Sequence, residues 1–251
     1  MKAAELIAEG AHERLIAMVA RELRYPLVPI RLAAQLLSRE APDAASVRSA
    51  AEIIERQARD LNRLIGDLID VSNMRLGVLP MHRVRAPLGE LIERAAAHSA
   101  PAVSERGQTL SVNVARQPIY LSMDLLRIGQ ALQNVIGNAS KLMVGRGHID
   151  VSLRRDGERA LIRVSDTGIG IPAEEMESIF GSFEQATPGG RAAAGLGVGL
   201  YLARYFIEAH GGRLTAASAG AVFTISLPCE PVRRHSRDSI AAEPAGDPSP
   251  A

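Results

Sequence analysis

The stretch DLLRIGQALQNVIGNASK, residues 124–141, decides the fold, because it predicts a strong helix over 123–143 with a polar face. Asn134, Asn138 and Lys141 follow one another at spacings of four and three, which places them on one side of that helix. Two amide groups and an ammonium suit a Mg-phosphate group, since Mg²⁺ prefers hard oxygen ligands. An isolated pair of asparagines at this spacing also occurs on helices that simply face solvent, and that alternative stays open for this motif alone.

A second motif, DTGIGIP, ends a predicted strand at residues 166–172. The Asp166 carboxylate can accept a hydrogen bond from an exocyclic amine such as that of adenine. Gly168 and Gly170 allow the backbone to approach a base closely. The alternative interpretation of this motif is an ordinary turn at the end of a strand.

A third motif, GLGVGL, carries Gly195, Gly197 and Gly199 and leads into a predicted helix at 198–209. Glycines before a helix N-terminus offer free N–H groups and a favourable dipole to phosphate. The motif lacks the Gly-Lys-Ser/Thr of a phosphate-binding Walker loop, and its spacing differs from a dinucleotide-binding fingerprint. Alone, it is equally consistent with a flexible loop.

Alternating helices and strands surround these motifs. Asp156 and Gly157 form a good hairpin signal between two of the strands. This mixture predicts an α+β sandwich with helices on one face of a sheet. The predicted helices are 87–104, 123–143 and 198–209, and the strands are 108–114, 118–121, 147–155, 159–166, 213–217 and 221–227.

Two long helices precede this domain, at residues 3–38 and 44–75. Pro26 and Pro29 lie inside the first helix and predict a kink or local bulge there. Apolar residues recur every three or four positions in both helices, more than a lone hairpin can bury. Dimerisation into a four-helix bundle is the simplest solution. Packing of the hairpin on its own C-terminal domain is the alternative.

Composition sets limits on the class of protein. Of 251 residues, 47% are hydrophobic but only 3% aromatic, so aliphatic side chains must build the core. The net charge of +1 argues against a nucleic-acid-binding protein. The single cysteine, Cys229, excludes a disulfide framework and fits a reducing compartment. The absence of a long apolar run predicts no membrane span, and we expect a cytoplasmic protein.

The motifs, in this order, resemble the core of bacterial two-component sensor histidine kinases: a dimerisation and phosphoacceptor stem followed by the ATP-binding domain shared with gyrase and chaperone ATPases. The resemblance covers roughly residues 10–228 and implies a stem at 1–78, an ATP-binding domain at 79–228 and a disordered tail at 229–251. Its segments are the asparagine box at 124–141, the first glycine box at 166–172, the phenylalanine box at 179–185, the second glycine box at 195–212 and the end of the second stem helix at 67–72.

The resemblance also implies roles for individual residues, with ATP and Mg as cofactors. Asn138 would hold Mg with Asn134 beside it, Lys141 would reach a phosphate and Asp166 would bind the adenine amine. The segment 184–198 would form a mobile lid over ATP. The glycines implied to line the nucleotide site are Gly168, Gly170, Gly195, Gly197 and Gly199.

Two further positions follow from the family pattern. His210 would be a structural residue at a helix end. Leu142 replaces a residue that is often aromatic and stacked near the base, a loss of about 1 kcal/mol of ATP binding.

The stem departs from the family at the phosphoacceptor. The family pattern reads approximately H-E-L-R-N-P-L, whereas Arg21–Leu27 reads RELRYPL. The acceptor must be a neutral imidazole nitrogen, and arginine is always protonated with no lone pair to offer. Glu22, the adjacent acid, is present, but Tyr25 replaces the Asn or Thr that the reverse phosphatase reaction uses. His12 lies on the opposite side of the helix from Arg21.

Three functions remain open from the sequence. The leading hypothesis is a degenerate, pseudokinase-like signalling protein that dimerises through residues 3–76, binds Mg-ATP and does not autophosphorylate. Its partners would be another copy or another sensor kinase, and a response regulator receiver domain. The second is an active subunit that phosphorylates the histidine of a partner kinase in a heterodimer. The third is a non-enzymatic dimeric scaffold with no nucleotide binding.

Overall fold

The protein is described here by a computed structural model. It covers residues 2–39, 43–114, 117–143, 145–172, 175–181, 197–217 and 222–231, and for residues 2–16 only the helical backbone.

The stem is a helical hairpin, as predicted. Helix α1 spans Lys2–Leu37 and continues through Pro26 and Pro29. Helix α2 spans Ala44–Arg75, and the Asp43 carboxylate caps it by accepting a hydrogen bond from the backbone N–H of Ser46 at 2.7 Å. The two helices pack against each other along their length.

The described part of the second domain contains two sheets and three α-helices. A five-stranded sheet has the order β2-β4-β5-β7-β6, in which β2 and β4 are parallel and the other neighbours are antiparallel. A small sheet pairs β1 with β3 in antiparallel register. The elements in chain order are β1 (Val84–Pro87), α3 (Leu88–Glu105), β2 (Gln108–Asn113), β3 (Tyr120–Met123), α4 (Leu125–Leu142), β4 (Gly147–Asp156), β5 (Arg159–Asp166), α5 (Gly199–Ala209), β6 (Arg213–Ala217) and β7 (Val222–Pro228).

The core lies between one face of the large sheet and the helices. Every second side chain of β4, β5 and β7 is buried, while those between them are at least partly exposed. Such alternation shows that helices cover a single face of the sheet. The predicted α+β sandwich is therefore confirmed, and the predicted bounds of its elements differ from the observed ones by no more than two residues. The buried side chains from the three strands are Ile149, Val151, Leu153, Ala160, Ile162, Val164, Phe223, Ile225 and Leu227.

Two elements are absent from the sequence prediction. One is β1, whose four residues pair with a strand more than thirty positions further along the chain, from Val84 with Met123 at one end to Pro87 with Tyr120 at the other. The other is a single 3-10 turn at Ser178–Phe180, inside the phenylalanine box.

The end of the second domain extends past residue 228. Cys229 donates a backbone hydrogen bond to the Glu158 carbonyl at 2.8 Å. The Glu230 carboxylate accepts two hydrogen bonds from Arg85, from Nε at 2.8 Å and from Nη2 at 2.9 Å. These two residues, assigned above to the tail, are thus attached to the domain, and the rest of that tail lies outside the described residues.

No helix in the described part of the chain is long and apolar enough to cross a membrane.

Candidate functional site

Helix α4 is fixed at its beginning by a buried polar cluster. The Asp124 carboxylate accepts hydrogen bonds from the backbone N–H groups of Leu126 at 3.0 Å and Arg127 at 3.1 Å, and so caps the helix. His210 Nε2 accepts from the Asp124 N–H at 2.9 Å, while Nδ1 donates to the Phe206 carbonyl at 2.6 Å. Because both ring nitrogens are engaged, His210 joins the start of α4 to the end of α5, in agreement with a structural role.

Asn134 connects the polar face of α4 to the second glycine box. Its Nδ2 donates to the Gly199 carbonyl at 3.0 Å. A Cβ atom added to Gly199 would lie only 3.3 Å from Asn134 Cγ, so the first turn of α5 approaches α4 closely. Two residues predicted to belong to the nucleotide site, Asn134 and Gly199, are therefore in contact. Asn138, one turn further along α4, is partly exposed, and its side chain makes no hydrogen bond to another described residue.

Asp166 has the most distinctive environment of the predicted site residues. The residue is 8% exposed, and its Oδ1 accepts a hydrogen bond from the Gly168 N–H at 2.8 Å. Its Oδ2 is buried and has no hydrogen-bond partner among the described residues. Burial raises the pKa of this carboxyl. Leaving a buried carboxylate oxygen unpaired is costly, so this atom is available to a donor that the described residues do not supply.

The glycines of DTGIGIP are required by geometry. A Cβ atom at Gly168 would lie 2.7 Å from Asp166 Oδ1 and 3.0 Å from Met143 Cγ, so any larger residue would displace the Asp166 carboxylate and crowd Met143. Gly170 has φ +82°, a conformation that favours glycine. A flat ligand can thus approach this backbone beside Asp166.

The second glycine box is described only in part. Gly197 has φ +66°, and α5 begins two residues later at Gly199. Gly195 and residues 184–196 of the lid predicted at 184–198 lie outside the described residues.

Lys141 is partly buried and lies among charges of the stem. Burial lowers the pKa of its ammonium to about 8, assisted by repulsion from Arg63 and Arg106. Asp67 and Asp60 oppose this shift by attraction. The lysine that the family resemblance assigns to a phosphate is therefore also within electrostatic reach of α2.

The phosphoacceptor position presents a cation to solvent. Arg21 is 55% exposed at its side chain and lies 3.5 Å from the Glu22 carboxylate, whose side chain is 7% exposed. Tyr25, one turn further, is 62% exposed. Leu142, at the position that is often aromatic, is 4% exposed and belongs to the hydrophobic core.

A polar interface between stem and domain was not anticipated from the sequence. Arg127 Nη1 donates to Asp70 Oδ2 at 2.7 Å, and Gln130 Nε2 donates to Asp67 Oδ1 at 3.2 Å. The signal that could have found it is the spacing: Arg127 and Gln130 continue the polar face of Asn134 toward the start of α4.

These residues fit a Mg-nucleotide. The unpaired Asp166 oxygen suits the amine of adenine. The described residues contain no cluster of three or more acidic, histidine or cysteine side chains that could hold a metal ion. A Mg²⁺ ion here would therefore be carried largely by nucleotide phosphates, with Asn138 supplying an amide oxygen.

Comparisons with known proteins agree with this geometry. Residues 123–231 match the family described as histidine kinase-, DNA gyrase B- and HSP90-like ATPase. Residues 11–77 match the His Kinase A phosphoacceptor domain.

Curated relatives are sensor kinases. The alginate biosynthesis sensor protein KinB of Pseudomonas aeruginosa is 30% identical over 226 residues, covering 88% of this chain and 37% of KinB. The circadian input-output histidine kinase CikA of Synechococcus elongatus is 31% identical over 255 residues, covering 95% of this chain and 33% of CikA. The chain thus spans about a third of the length of these two relatives.

Solved structures share the fold. The mycobacterial sensor histidine kinase MprB gives a TM-score of 0.52 at 26% identity, covering 60% of this chain and 99% of that one. The Acinetobacter baumannii histidine kinase AdeS gives a TM-score of 0.59 at 22% identity, covering 82% of this chain and 96% of that one.

Proposed function

Because the chain belongs to the sensor histidine kinase family, we propose that it is a dimeric two-component signalling protein that binds Mg-ATP without phosphorylating itself. Its output is then a change of conformation that is passed to a partner kinase or to a response regulator receiver domain.

The observation that carries this proposal is Arg21 at the acceptor position. Transfer of the γ-phosphoryl group needs a nucleophile with a lone pair in line with the phosphate. A guanidinium has none at accessible pH. His12 is the only histidine in the stem sequence, nine residues from Arg21. The exposed guanidinium can attract a phosphate as a counterion, but it cannot take the place of the neutral imidazole as the nucleophile of this reaction.

The buried oxygen of Asp166 supports nucleotide binding. An adenine amine would satisfy Oδ2, which no described residue does. If the chain were a scaffold with an inactive pocket, the buried Asp166 Oδ2 would be energetically costly, and no ligand would offset that cost.

The exposed apolar side chains of the stem support dimerisation. Soluble monomers rarely expose so many large apolar residues along one hairpin. A second copy, or the stem of a related kinase, would cover them in a four-helix bundle. These residues are Tyr25, Leu27, Val28, Leu32, Val47, Ile65 and Ile69.

Labelled ATP tests the proposal directly. The chain is incubated with γ-labelled Mg-ATP, and bound and covalent label are measured separately. We expect nucleotide binding that Asp166→Asn weakens, and no acid-labile label on the protein. Phosphohistidine on the purified chain would refute the proposal.

A second function, phosphorylation in trans, is favoured by the same Asp166 environment, since the nucleotide residues remain while the acceptor is lost. The test mixes this chain with a related kinase that keeps its stem histidine but has an inactive ATP site. Label on that partner supports this second function, and its absence supports the first.

A further inference from the structure

One face of the five-stranded sheet carries no helix among the described residues. Its side chains alternate along β4, β5 and β7 with the buried core residues, and all of them are at least partly exposed. We refer to this surface as the open face. Arginines occupy it from the middle of the sheet to the end opposite Asp166, and they are Arg154, Arg159, Arg163 and Arg213.

A shallow cavity of about 190 Å³ lies on the open face between Arg154 and Arg163. The rest of its lining is Leu161 and the hydroxyl side chains of Ser152 and Thr224. The strand register explains this arrangement, because Ser152 and Thr224 flank Arg163 on the two neighbouring strands, and Leu161 lies opposite Arg154. The cavity is therefore surrounded by two guanidinium groups and two hydroxyl groups, all of which can donate hydrogen bonds.

The two arginines of the cavity have no acidic partner. Neither guanidinium makes a hydrogen bond or an ion pair with another described residue. Arg163 pairs with Ser152, and Arg154 lies two residues further along the same strand. Such diagonal neighbours are about 7–8 Å apart, within reach of long side chains. Their positive charges therefore repel each other unless an anion lies between them.

The other charged groups of the open face do not neutralise this pair. Asp150 accepts a hydrogen bond from the Ser111 hydroxyl at 2.7 Å, and Asp156 lies opposite Arg159 at the far end of the sheet. Arg159 itself donates from Nη2 to the Ser226 carbonyl at 3.2 Å. The uncompensated charge at the cavity is thus positive.

The shape and composition of the open face favour a protein as its occupant. Sites for small ligands are concave and bury most of the ligand, whereas this cavity is shallow and lies on a sheet surface. Single-stranded nucleic acid needs aromatic side chains for stacking, and the described open face has no Phe, Tyr or Trp. A second copy of the same face would bring arginine against arginine.

We propose that the open face docks an acidic segment of a partner protein, with one of its carboxylates held between Arg154 and Arg163. A guanidinium binds a carboxylate through two parallel hydrogen bonds. The hydroxyl groups of Ser152 and Thr224 can donate to the same carboxylate, and Leu161 can contact the methylene groups of a glutamate. This surface is separate from the proposed nucleotide site, because Asp166 is buried on the helix-covered side of the sheet.

Fluorescence anisotropy with the full chain and a fluorescein-labelled hexaglutamate peptide tests the proposal. The wild type should bind the peptide. The double variant Arg154→Gln, Arg163→Gln should bind about fivefold or more weakly, since two exposed ion pairs are lost. The matched control is the double variant Arg48→Gln, Arg94→Gln, which removes the same charge from exposed positions of α2 and α3 and should bind as the wild type does.

Absence of binding by the wild type overturns the proposal. An equal loss in both double variants also overturns it, because binding would then respond only to the net charge of the chain.

Two other anions identify a different occupant if there is one. Inorganic phosphate should displace the peptide no better than chloride does at the same ionic strength. A single-stranded oligonucleotide of the same charge should bind no more tightly than hexaglutamate. Displacement specific to phosphate, or tighter oligonucleotide binding that requires Arg154 and Arg163, would overturn the assignment to an acidic protein segment.

Backbone NMR of the wild type gives a readout that needs no variant. Hexaglutamate should shift the amide signals of residues 152–154, 161–163 and 224, which surround the cavity. Shifts confined to other elements, or none with saturating peptide, overturn the proposal even if the double variant fails to fold. The result is independent of whether the chain binds nucleotide.

Discussion

At the scale of single residues, the proposed absence of self-phosphorylation depends on Arg21 and Tyr25, which stand where the family pattern has histidine and asparagine or threonine. Replacing Arg21 by histidine restores a neutral nitrogen at an exposed position of α1. We expect Arg21→His to give weak acid-labile labelling from γ-labelled ATP, and Arg21→His with Tyr25→Asn to give more. Arg24→His, on the same exposed helix, is the control and should stay unlabelled. Full labelling by Arg21→His alone would show that Tyr25 is not an obstacle.

Asp166 tests the base-binding end of the site. Asp166→Asn keeps the shape of the side chain but replaces one acceptor oxygen with an NH₂ donor. We expect nucleotide affinity to fall at least tenfold, since a hydrogen bond to a charged group contributes about 1.5–3 kcal/mol. Calorimetry measures the nucleotide affinity of the variant and of the wild type. The matched control is Asp150→Asn on the open sheet face, where the carboxylate accepts only from the Ser111 hydroxyl among described residues; similar losses from both variants would contradict the assignment.

Lys141 predicts how nucleotide binding depends on pH. Its pKa is lowered from 10.5 to about 8, so the ammonium loses its proton as pH rises through 8. A phosphate binds the charged form, and affinity for Mg-AMPPNP should therefore decrease between pH 7 and pH 9. Lys141→Gln should bind more weakly at pH 7 and lose this dependence. An unchanged pH profile in that variant would exclude Lys141 as the titrating group.

The sequence identifies Arg21, Tyr25, Asp166 and Lys141 because each belongs to a motif with a fixed spacing and an unusual chemistry. It does not identify Asp67 and Asp70 as partners of Arg127 and Gln130. Their pairing depends on how two domains meet, which no local spacing encodes.

At the scale of elements, His210 joins α4 and α5 through two buried hydrogen bonds. His210→Ala should lower the free energy of unfolding by about 1–3 kcal/mol, because the Asp124 N–H and Phe206 carbonyl lose their partner. Denaturant titration measures the change. His98→Ala, at an exposed position of α3, should stay within about 0.5 kcal/mol of the wild type. Equal effects of the two substitutions would contradict the role given to His210.

The helices and most strands are predictable at this scale because apolar periodicity is local. Helix α2 is predicted at 44–75 and is observed at Ala44–Arg75. Strand β1 is missed because it has four residues, of which two are exposed, and a distant partner.

At the scale of the whole molecule, most of the large apolar side chains of α1 and α2 that face solvent have no apolar neighbour to cover them among the described residues. Ile69 is 54% exposed on α2. Ile69→Asp should convert a dimer into a monomer, because a carboxylate in a bundle core is strongly unfavourable. Light scattering with size-exclusion chromatography measures the mass. Leu126→Asp is the control, since Leu126 is 70% exposed but lies on the ATP-binding domain. Loss of the dimer in both variants would contradict the assignment of the dimer interface to the stem.

Domain order and fold class follow from the order of the motifs along the chain. The sequence left open whether the hairpin packs on its own domain or on another stem. The structure shows contacts of the first kind, with Leu64 and Val71 in the shared core, while the exposed residues of α1 and α2 leave room for the second.

The exposure of Arg21 also has a consequence for how this chain evolves. Its only described partner is the neighbouring Glu22 at 3.5 Å, so folding neither requires this arginine nor resists its replacement. Some arginine codons differ from a histidine codon by a single base, so histidine can arise at this position by point mutation. Selection on stability alone would not oppose that change. If the proposed function holds, related chains that keep this arginine keep it because it prevents phosphotransfer to the stem.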